Sequence, residues 1–422
     1  MVVFLSVIQF LCIVVIMVLE FNKKSPAVFL WATVFLMFGV MHMVSCIAGT
    51  NAYSGAVLNE ASLFVIGFCA VYALTRILLL KGRVTTPHPY LEDGYLTQLS
   101  RQVSRAESTF FFVVLCVAVV ADIADKVIAM GGLGNTSWGA SREMQQSYLN
   151  ISQITSVNFL LLSGLRRHYT YAGMVALVIL IKVVISRNRV EVIPLFACLL
   201  GYYLIKRRRI TIKMGIFCLI CACLVIYVVY ALRAYRWYGT IDNFLHTVTF
   251  QNFNEQILEF FREDNGELGL RKWFYYYIDG DNQFRDFGQG HSYLRVLMTF
   301  IPTRFSLGLK PADFAQAMGS AIGMIPGGSM HPTLFGDAYA NFGIWGIFAG
   351  AFWAGYVTLA DKIMEFLRND ICVFFAYTIC AYAYVVEGRG AIYNGNVMMA
   401  YGLVVLMVLY VAKRRVGYYV RK

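Results

Sequence analysis

The chain is short of charge. Only 14% of its 422 residues are Asp, Glu, Lys or Arg, against 59% in the hydrophobic set, and its mean hydropathy is +0.61. Soluble domains carry roughly 25% charged residues, so a lone water-facing globule is excluded. Apolar surface on this scale has to meet lipid as well as a core. A disulfide framework is missing too. Nine of the ten cysteines, Cys12, Cys69, Cys116, Cys198, Cys218, Cys221, Cys223, Cys372 and Cys380, lie inside apolar stretches, and Cys46 lies at the edge of one. None falls in the long segment 234–334, which therefore cannot be stapled. Cys218, Cys221 and Cys223 have no histidine nearby, and small apolar packing is their simplest role.

Other signatures are absent as well. The first apolar run, Val2 to Leu19, lacks a basic leader and a small-residue cleavage site, so it reads as a retained span. There is no HExxH and no histidine pair at i, i+4, hence no metal motif. Gly288-Gln289-Gly290 has no strand and helix to frame a nucleotide phosphate. No long internal repeat or low-complexity tract interrupts the chain.

What is present is a series of hydrophobic runs. A membrane span needs roughly 20 apolar residues, and about eleven segments qualify: 2–20, 27–46, 61–80, 109–127, 150–165, 171–186, 190–205, 213–233, 335–359, 371–387 and 394–412. This predicts an all-α polytopic membrane protein. It would have a bundle of about eight spans over 1–233, one large loop over 234–334 and about three spans over 335–422.

The net charge of +12 fits such a protein better than a nucleic-acid binder, because Lys and Arg collect in cytoplasmic loops. With the N-terminus outside and the C-terminus inside, nearly every basic cluster falls on one side: Lys23-Lys24, Lys81 to Arg105, Arg166-Arg167, Lys206 to Arg209, Lys362 with Arg368, and the tail from Lys413. The segment 234–334 is then extracytoplasmic. It carries aromatic clusters (Trp237-Tyr238 and Trp273 to Tyr277) and a short amphipathic stretch, Asn254 to Arg262, that could lie along a membrane surface. Turn signals at Asp279-Gly280 and Pro326-Gly327-Gly328 divide it. A loop of this length and aromatic content points to a functional element rather than a linker.

The informative charges are those that break the topology rule. Arg187 and Arg189 occupy a tight outside turn, and Arg389 occupies another in Glu387-Gly388-Arg389-Gly390. Arg295, Arg304 and Lys310 lie in the large loop, and Arg233 and Arg236 lie where the eighth span leaves the membrane. Each alone could snorkel to headgroups or pair with a carboxylate. As a set they favour an anionic ligand, since several guanidinium forks suit phosphate oxygens. His331 and Asp337 stand where the loop re-enters the membrane. Either could take a proton from a hydroxyl. Alternatively, Asp337 caps a helix start and His331 satisfies a turn. Of these two, His331 is the better base and Asp337 the orienting partner. Glu387 and His291 are weaker candidates.

The residues Phe300-Ile301-Pro302, Lys310-Pro311, His331-Pro332 and Gly336-Asp337-Ala338-Tyr339-Ala340-Asn341-Phe342-Gly343-Ile344-Trp345-Gly346 together resemble the O-antigen polymerase (Wzy) family of bacterial polysaccharide polymerases. The order of parts is similar too: an arginine turn in mid-chain, a large periplasmic loop, then a late membrane-edge arginine. Motif-level agreement covers roughly 295–346. The resemblance implies a GT-C-like, metal-independent glycosyltransferase of lipopolysaccharide biosynthesis in the bacterial inner membrane, with no cofactor. Its substrates would be undecaprenyl-pyrophosphate-linked glycans as donor and acceptor, with a chain-length regulator and a flippase as further partners. His331 and Asp337 would be catalytic, and Arg187, Arg189, Arg295, Arg304, Lys310 and Arg389 would hold pyrophosphate and glycan. Two rivals stand beside this reading: a near one, an O-antigen ligase that shares the general plan but acts on a lipid A core, and a distant one, a non-enzymatic flippase or transporter of the same lipids. A transporter should show internal repeats.

Overall fold

In the computed structural model the described residues are 1–81, 112–121, 268–280, 289–301, 305–321, 331–368, 370 and 372–420, with single positions at 109, 124, 177, 249 and 251. They are helical, and none of them is in a strand. In chain order the helices are α1 (Val2–Lys23), α2 (Val28–Ala48), α3 (Gly55–Leu79), α4 (Phe112–Ala121), α5 (Lys272–Asp279), α6 (His291–Leu297), α7 (Phe314–Ala321), α8 (Thr333–Phe366), α9 (Cys372–Arg389) and α10 (Ile392–Val420). Among them α1, α2, α3 and α8 are long and apolar enough to cross a membrane. The chain is thus an α-helical protein with membrane-spanning helices, as its hydropathy requires. The expected spans at 150–165, 171–186, 190–205 and 213–233 lie outside the described residues, as does the amphipathic stretch at 254–262.

The chain divides into two compact units, one formed by Met1–Pro89 with Glu259–Lys422, the other by Tyr90–Leu258. In the second unit the described helix is α4. The first unit holds all the other helices.

Local chemistry sets the helix boundaries in the first unit. Ser54 caps α3 by accepting the Val57 amide through its side chain, which supplies one of the donors left over at a helix start. The helix begins several residues before the expected 61. Helix α2 contains a π-helical stretch, Phe35–Met41. A π-bulge displaces backbone groups from the regular ladder, and here the Gln9 amide of α1 donates to the Phe38 carbonyl at 2.6 Å.

The chain reverses at Gly343, where φ is 58° and ψ −142°, so that 333–342 runs against α3 and the rest of α8, Ala349–Phe366, runs in the same direction as α1 and α3. The C-terminal ends of these three are tied by buried ions. Arg76 of α3 donates to both oxygens of Glu20 on α1 at 2.9 Å and to Asp361 Oδ2 on α8 at 2.5 Å. Tyr72 donates to Glu20 at 2.7 Å, Arg76 to Thr358 at 2.8 Å and Ser25 to Asp361 Oδ1 at 2.9 Å. Every oxygen of the two carboxylates is therefore engaged. This is the condition under which buried charge is tolerated.

Packing is close enough at three points to demand glycine, the first being Gly346, where a β-carbon would lie 2.5 Å from the Ala338 carbonyl oxygen. A β-carbon at Gly350 of α8 would lie 2.6 Å from the Phe68 carbonyl of α3. One at Gly395 of α10 would lie 2.4 Å from both the Ala383 carbonyl and Glu387 Cγ of α9. Gly395→Ala is expected to force α9 and α10 apart and to cost about 1–3 kcal/mol, the usual range for overpacking, read as a lowered unfolding midpoint of the detergent-solubilised protein. Gly355→Ala, where a β-carbon meets nothing within 4 Å, should instead hold or raise the midpoint, because alanine is the better helix former.

The aromatic cluster of the large loop serves the core. Phe274, Tyr275 and Tyr277 of α5 are buried. Phe274 packs against Phe38 at 5.7 Å and Phe64 at 5.5 Å between ring centroids, and Phe335 adds to the same group at 4.9 Å from Phe38. His42 of α2 then joins Tyr275 Oη at 2.6 Å and Ser62 Oγ at 2.9 Å. The loop helix is thus seated among α2, α3 and α8. Only Trp273 and Tyr276 of this cluster keep partly open faces.

Candidate functional site

The site is built around the break between α9 and α10. Sequence reading placed an extended turn at 388–393. The structure instead carries α9 through Arg389 and starts α10 at Ile392, leaving Gly390 and Ala391 as the only connection. A helix start leaves amide donors unpaired and carries a partial positive charge. Of the eight residues to which the resemblance gives a site role, five lie around this break: His331, Asp337, Arg295, Lys310 and Arg389.

Asp337 is fully buried in the second turn of α8, whose first residue is Thr333. The expected cap at its own helix start is therefore not what it makes. Its Oδ2 accepts the Ile392 amide at 3.1 Å, capping α10 from 55 positions away. Its Oδ1 accepts from Asn341 Nδ2 at 3.0 Å. Asn341 also donates to Ser292 Oγ at 3.1 Å and accepts the Ser292 amide at 3.2 Å, which fastens the start of α6 to α8. Tyr339 donates to Glu60 of α3 at 2.8 Å. The Gly336–Gly346 motif thus works as a knot: one residue grips α10, one α6 and one α3. Tyr277 and Tyr293 lie near Asp337. Burial, and after it the Asp337 charge, pushes both phenols well above their ordinary range, so each remains a neutral hydroxyl.

His331 precedes α8 and is half-buried. Its Nδ1 comes within 3.7 Å of where a β-carbon on Gly390 would stand, so the imidazole rests against the same break that Asp337 caps. Arg389 closes α9 immediately beside it.

Arg295 and Lys310 converge on Tyr393, the second residue of α10. The Arg295 guanidinium carbon lies 4.1 Å from the ring centroid and Lys310 Nζ lies 5.4 Å from it. Arg295 also donates to the Pro311 carbonyl, and Lys310 donates to the Ile301 carbonyl at 2.8 Å. Neither cation forms an ion pair with a described carboxylate. Arg295 Nε is buried and makes no hydrogen bond. Two cations around one ring, beside a helix start, make a positive locus with donors to spare. Arg187, Arg189 and Arg304 lie outside the described residues.

Glu387, a weaker candidate from the sequence, is fully buried one turn before the break. The Tyr356 hydroxyl stands 2.9 Å from Glu387 Oε1 and 2.9 Å from Asn396 Oδ1, and with one proton it donates to one of them at a time. His291 opens α6 and is half-buried. Sequence reasoning missed Asn341, Tyr393 and Asn396. Tyr393 and Asn396 carry no local signal, since their importance arises from what other segments bring to them. Asn341 stood in the quoted motif and could have been singled out as a polar residue four positions after a buried carboxylate. No family model, no curated protein and no solved structure matches the chain.

Proposed function

We propose that this protein is a membrane-bound, GT-C-like glycosyltransferase of about eleven spans that polymerises lipid-linked repeat units, moving a growing glycan from undecaprenyl pyrophosphate to the non-reducing end of an acceptor on the same lipid. The observation that carries this reading is the gathering of His331, Asp337, Arg389, Arg295 and Lys310 around the α9–α10 break. The reaction needs cationic donors for a pyrophosphate leaving group and a base for the acceptor hydroxyl. Arg295 and Lys310 supply donors, and the spare Nε of Arg295 suits a phosphate oxygen. His331 takes the proton of the attacking hydroxyl. Asp337, buried and occupied on both oxygens, is a positioning residue that keeps the start of α10 in place.

Orientation follows the basic residues. The end of the bundle bearing the Glu20–Arg76–Asp361 network also bears Lys23, Lys24, Lys81, Lys362 and Arg368, which supports a cytoplasmic assignment for it. The reading assigns the candidate site to the side from which the lipid-linked substrates enter, the periplasmic one. The assay uses purified protein with lipid-linked repeat units alone. Polymer supports the reading, reaction only after adding a lipid A core acceptor makes the protein a ligase, and transport without new bonds makes it a flippase.

Arg295→Lys keeps the charge but loses the two-pronged donor geometry. Polymer yield should fall sharply, with weaker donor binding and unchanged protein level. Full activity in Arg295→Ala at normal levels would rule out a phosphate-binding role for this residue.

A further inference from the structure

Glu387 is fully enclosed, and its carboxyl has one hydrogen-bond partner. That partner is the Tyr356 hydroxyl of α8, 2.9 Å from Oε1, whereas Oε2 makes no hydrogen bond. Helix α10 presses on the stem: a β-carbon on Gly395 would lie 2.4 Å from Glu387 Cγ and 2.9 Å from Cδ. Among the described residues the ion pairs are those of Arg76, so no described cation lies within pairing distance of this carboxyl. The other titratable groups around it are Tyr384 and Cys380 on α9 itself, Asp337 at the start of α10 and His331 beside Gly390. Helix α2 brings only Leu30 and Thr33, against Gly388. Arg389 is two positions on, and residues so spaced do not share a helix face. An ionised carboxylate here would lack a counter-charge, a cost that a buried acid avoids by keeping its proton.

The hydrogen bonds beyond Tyr356 fix where the protons are. Thr299 Oγ1 donates to the Val296 carbonyl at 2.6 Å, so its one proton is committed and it accepts from Asn396 Nδ2 at 2.7 Å. The Asn396 amide is thereby oriented, with Oδ1 turned to Tyr356 at 2.9 Å. An amide oxygen carries no proton, so the Tyr356 hydroxyl donates to it. The remaining 2.9 Å contact, between Tyr356 Oη and Glu387 Oε1, then has a single source for its proton, the carboxyl itself. Turning the Asn396 amide over would free the Tyr356 proton for a carboxylate, but Thr299 would then have to donate to Asn396. The Val296 carbonyl would face the Thr299 oxygen at 2.6 Å with no proton between them.

We infer that Glu387 is a proton-binding site in the interior of the bundle: a neutral carboxylic acid that donates to Tyr356, which donates to Asn396, which donates to Thr299. The chain of donors runs from α9 through α8 and α10 to the segment that follows α6, one turn past Arg295. Ionisable groups inside a membrane bundle mark proton and ion pathways, and here the bound proton decides which way the chain points. Its loss would turn the Tyr356 hydroxyl to the carboxylate, deprive Asn396 Oδ1 of its donor and slacken the hold on Thr299. Arg295, which rests on Tyr393 in the same segment, would lose that support as well. Proton occupancy at Glu387 is thus linked to the position of a cation at the α9–α10 break. The inference stands on these contacts and is independent of whether the protein is a polymerase, a ligase or a transporter.

The test is infrared spectroscopy of the full chain in phospholipid vesicles at neutral pH, with and without glutamate labelled with carbon-13 at the side-chain carboxyl. The parent is expected to show the C=O stretch of a carboxylic acid, apart from the carboxylate bands. Labelling should move that band to lower frequency with no substitution in the chain. Glu387→Gln should remove it, and Tyr356→Phe, which takes away the acceptor, should move it to higher frequency. If Glu387→Gln does not accumulate, the labelled parent and Tyr356→Phe decide between the same outcomes. A parent without a label-sensitive acid band would overturn the inference, as would a band that Glu387→Gln leaves in place or that Tyr356→Phe leaves unmoved. A band that disappears when sodium chloride is added at fixed pH would make the occupant a metal cation in place of a proton, and would overturn it equally.

Discussion

His331→Ala is expected to abolish polymer formation while leaving binding of the lipid-linked donor close to that of the parent. The imidazole is the one candidate base at the α9–α10 break that is only half-buried. Asp337 and Glu387 are both fully enclosed. Histidine is the side chain most often used as a general base, and removing such a base typically costs about 10²–10⁴-fold in rate. In the proposed reading donor binding rests on other groups, chiefly Arg295 and Lys310, so it should persist. The measurement is polymer length and yield from defined lipid-linked repeats, alongside binding of the donor to the purified variant. Asp337→Asn provides the contrast. It keeps an acceptor for the Ile392 amide but brings in donors, so it should weaken the start of α10 and lower both activity and thermal stability. If Asp337→Asn is inactive at full stability while His331→Ala polymerises normally, the two roles are exchanged. If both polymerise normally, the chemistry belongs to other residues, with Glu387 and His291 next.

Arg76→Ala should bring the largest loss of stability in the chain. The change removes the only described cation bonded to both Glu20 and Asp361 and leaves two carboxylates buried against one another. Removing one partner of a buried pair typically costs about 3–5 kcal/mol. Folded protein recovered from membranes should therefore drop to a small fraction of the parent, with a lowered unfolding midpoint in what remains. Arg76→Lys retains charge but cannot span Glu20, Asp361 and Thr358 together, and should fall between. Replacing all three charged residues with apolar ones of similar volume should recover much of the loss, because neither carboxylate is then left buried without its guanidinium, and Lys23 keeps Glu365 nearby. A normal yield of Arg76→Ala would mean that the network adds little to holding α1, α3 and α8 together.

The ends of the spans show how far local signals reach. The runs at 2–20, 27–46, 61–80, 335–359, 371–387 and 394–412 each contain helix, with an early start for α3, late ends for α8 and α10, and a break at Gly343 inside the run 335–359. Hydrocarbon admits few alternatives to a helix, since every backbone polar group must be satisfied internally. The extension of α9 through Arg389 was not legible. Glu387, Gly388, Arg389 and Gly390 look like a polar turn, and only the enclosure of Glu387 by α8 and α10 makes a helix there favourable.

By itself the sequence determined the chemical class of the molecule: a helical chain made for lipid, with a surplus of cations on one set of loops and a few out of place. Those properties are sums over composition and run length, and no contact between distant residues is needed to read them. It also marked His331, Asp337, Arg295, Lys310 and Arg389 as unusual, because a charge near an apolar run is visible locally. Only the tertiary structure decided what each one meets. Asp337 caps a helix 55 positions away, and Arg76 joins Glu20 and Asp361 across 56 and 285 positions. Phe274 enters the core, whereas Leu307 is held out of it. An isolated carboxylate at a span end has the same local appearance whether it faces water, a headgroup or a buried arginine. The difference lies in which helices pack beside it, a property of the whole bundle.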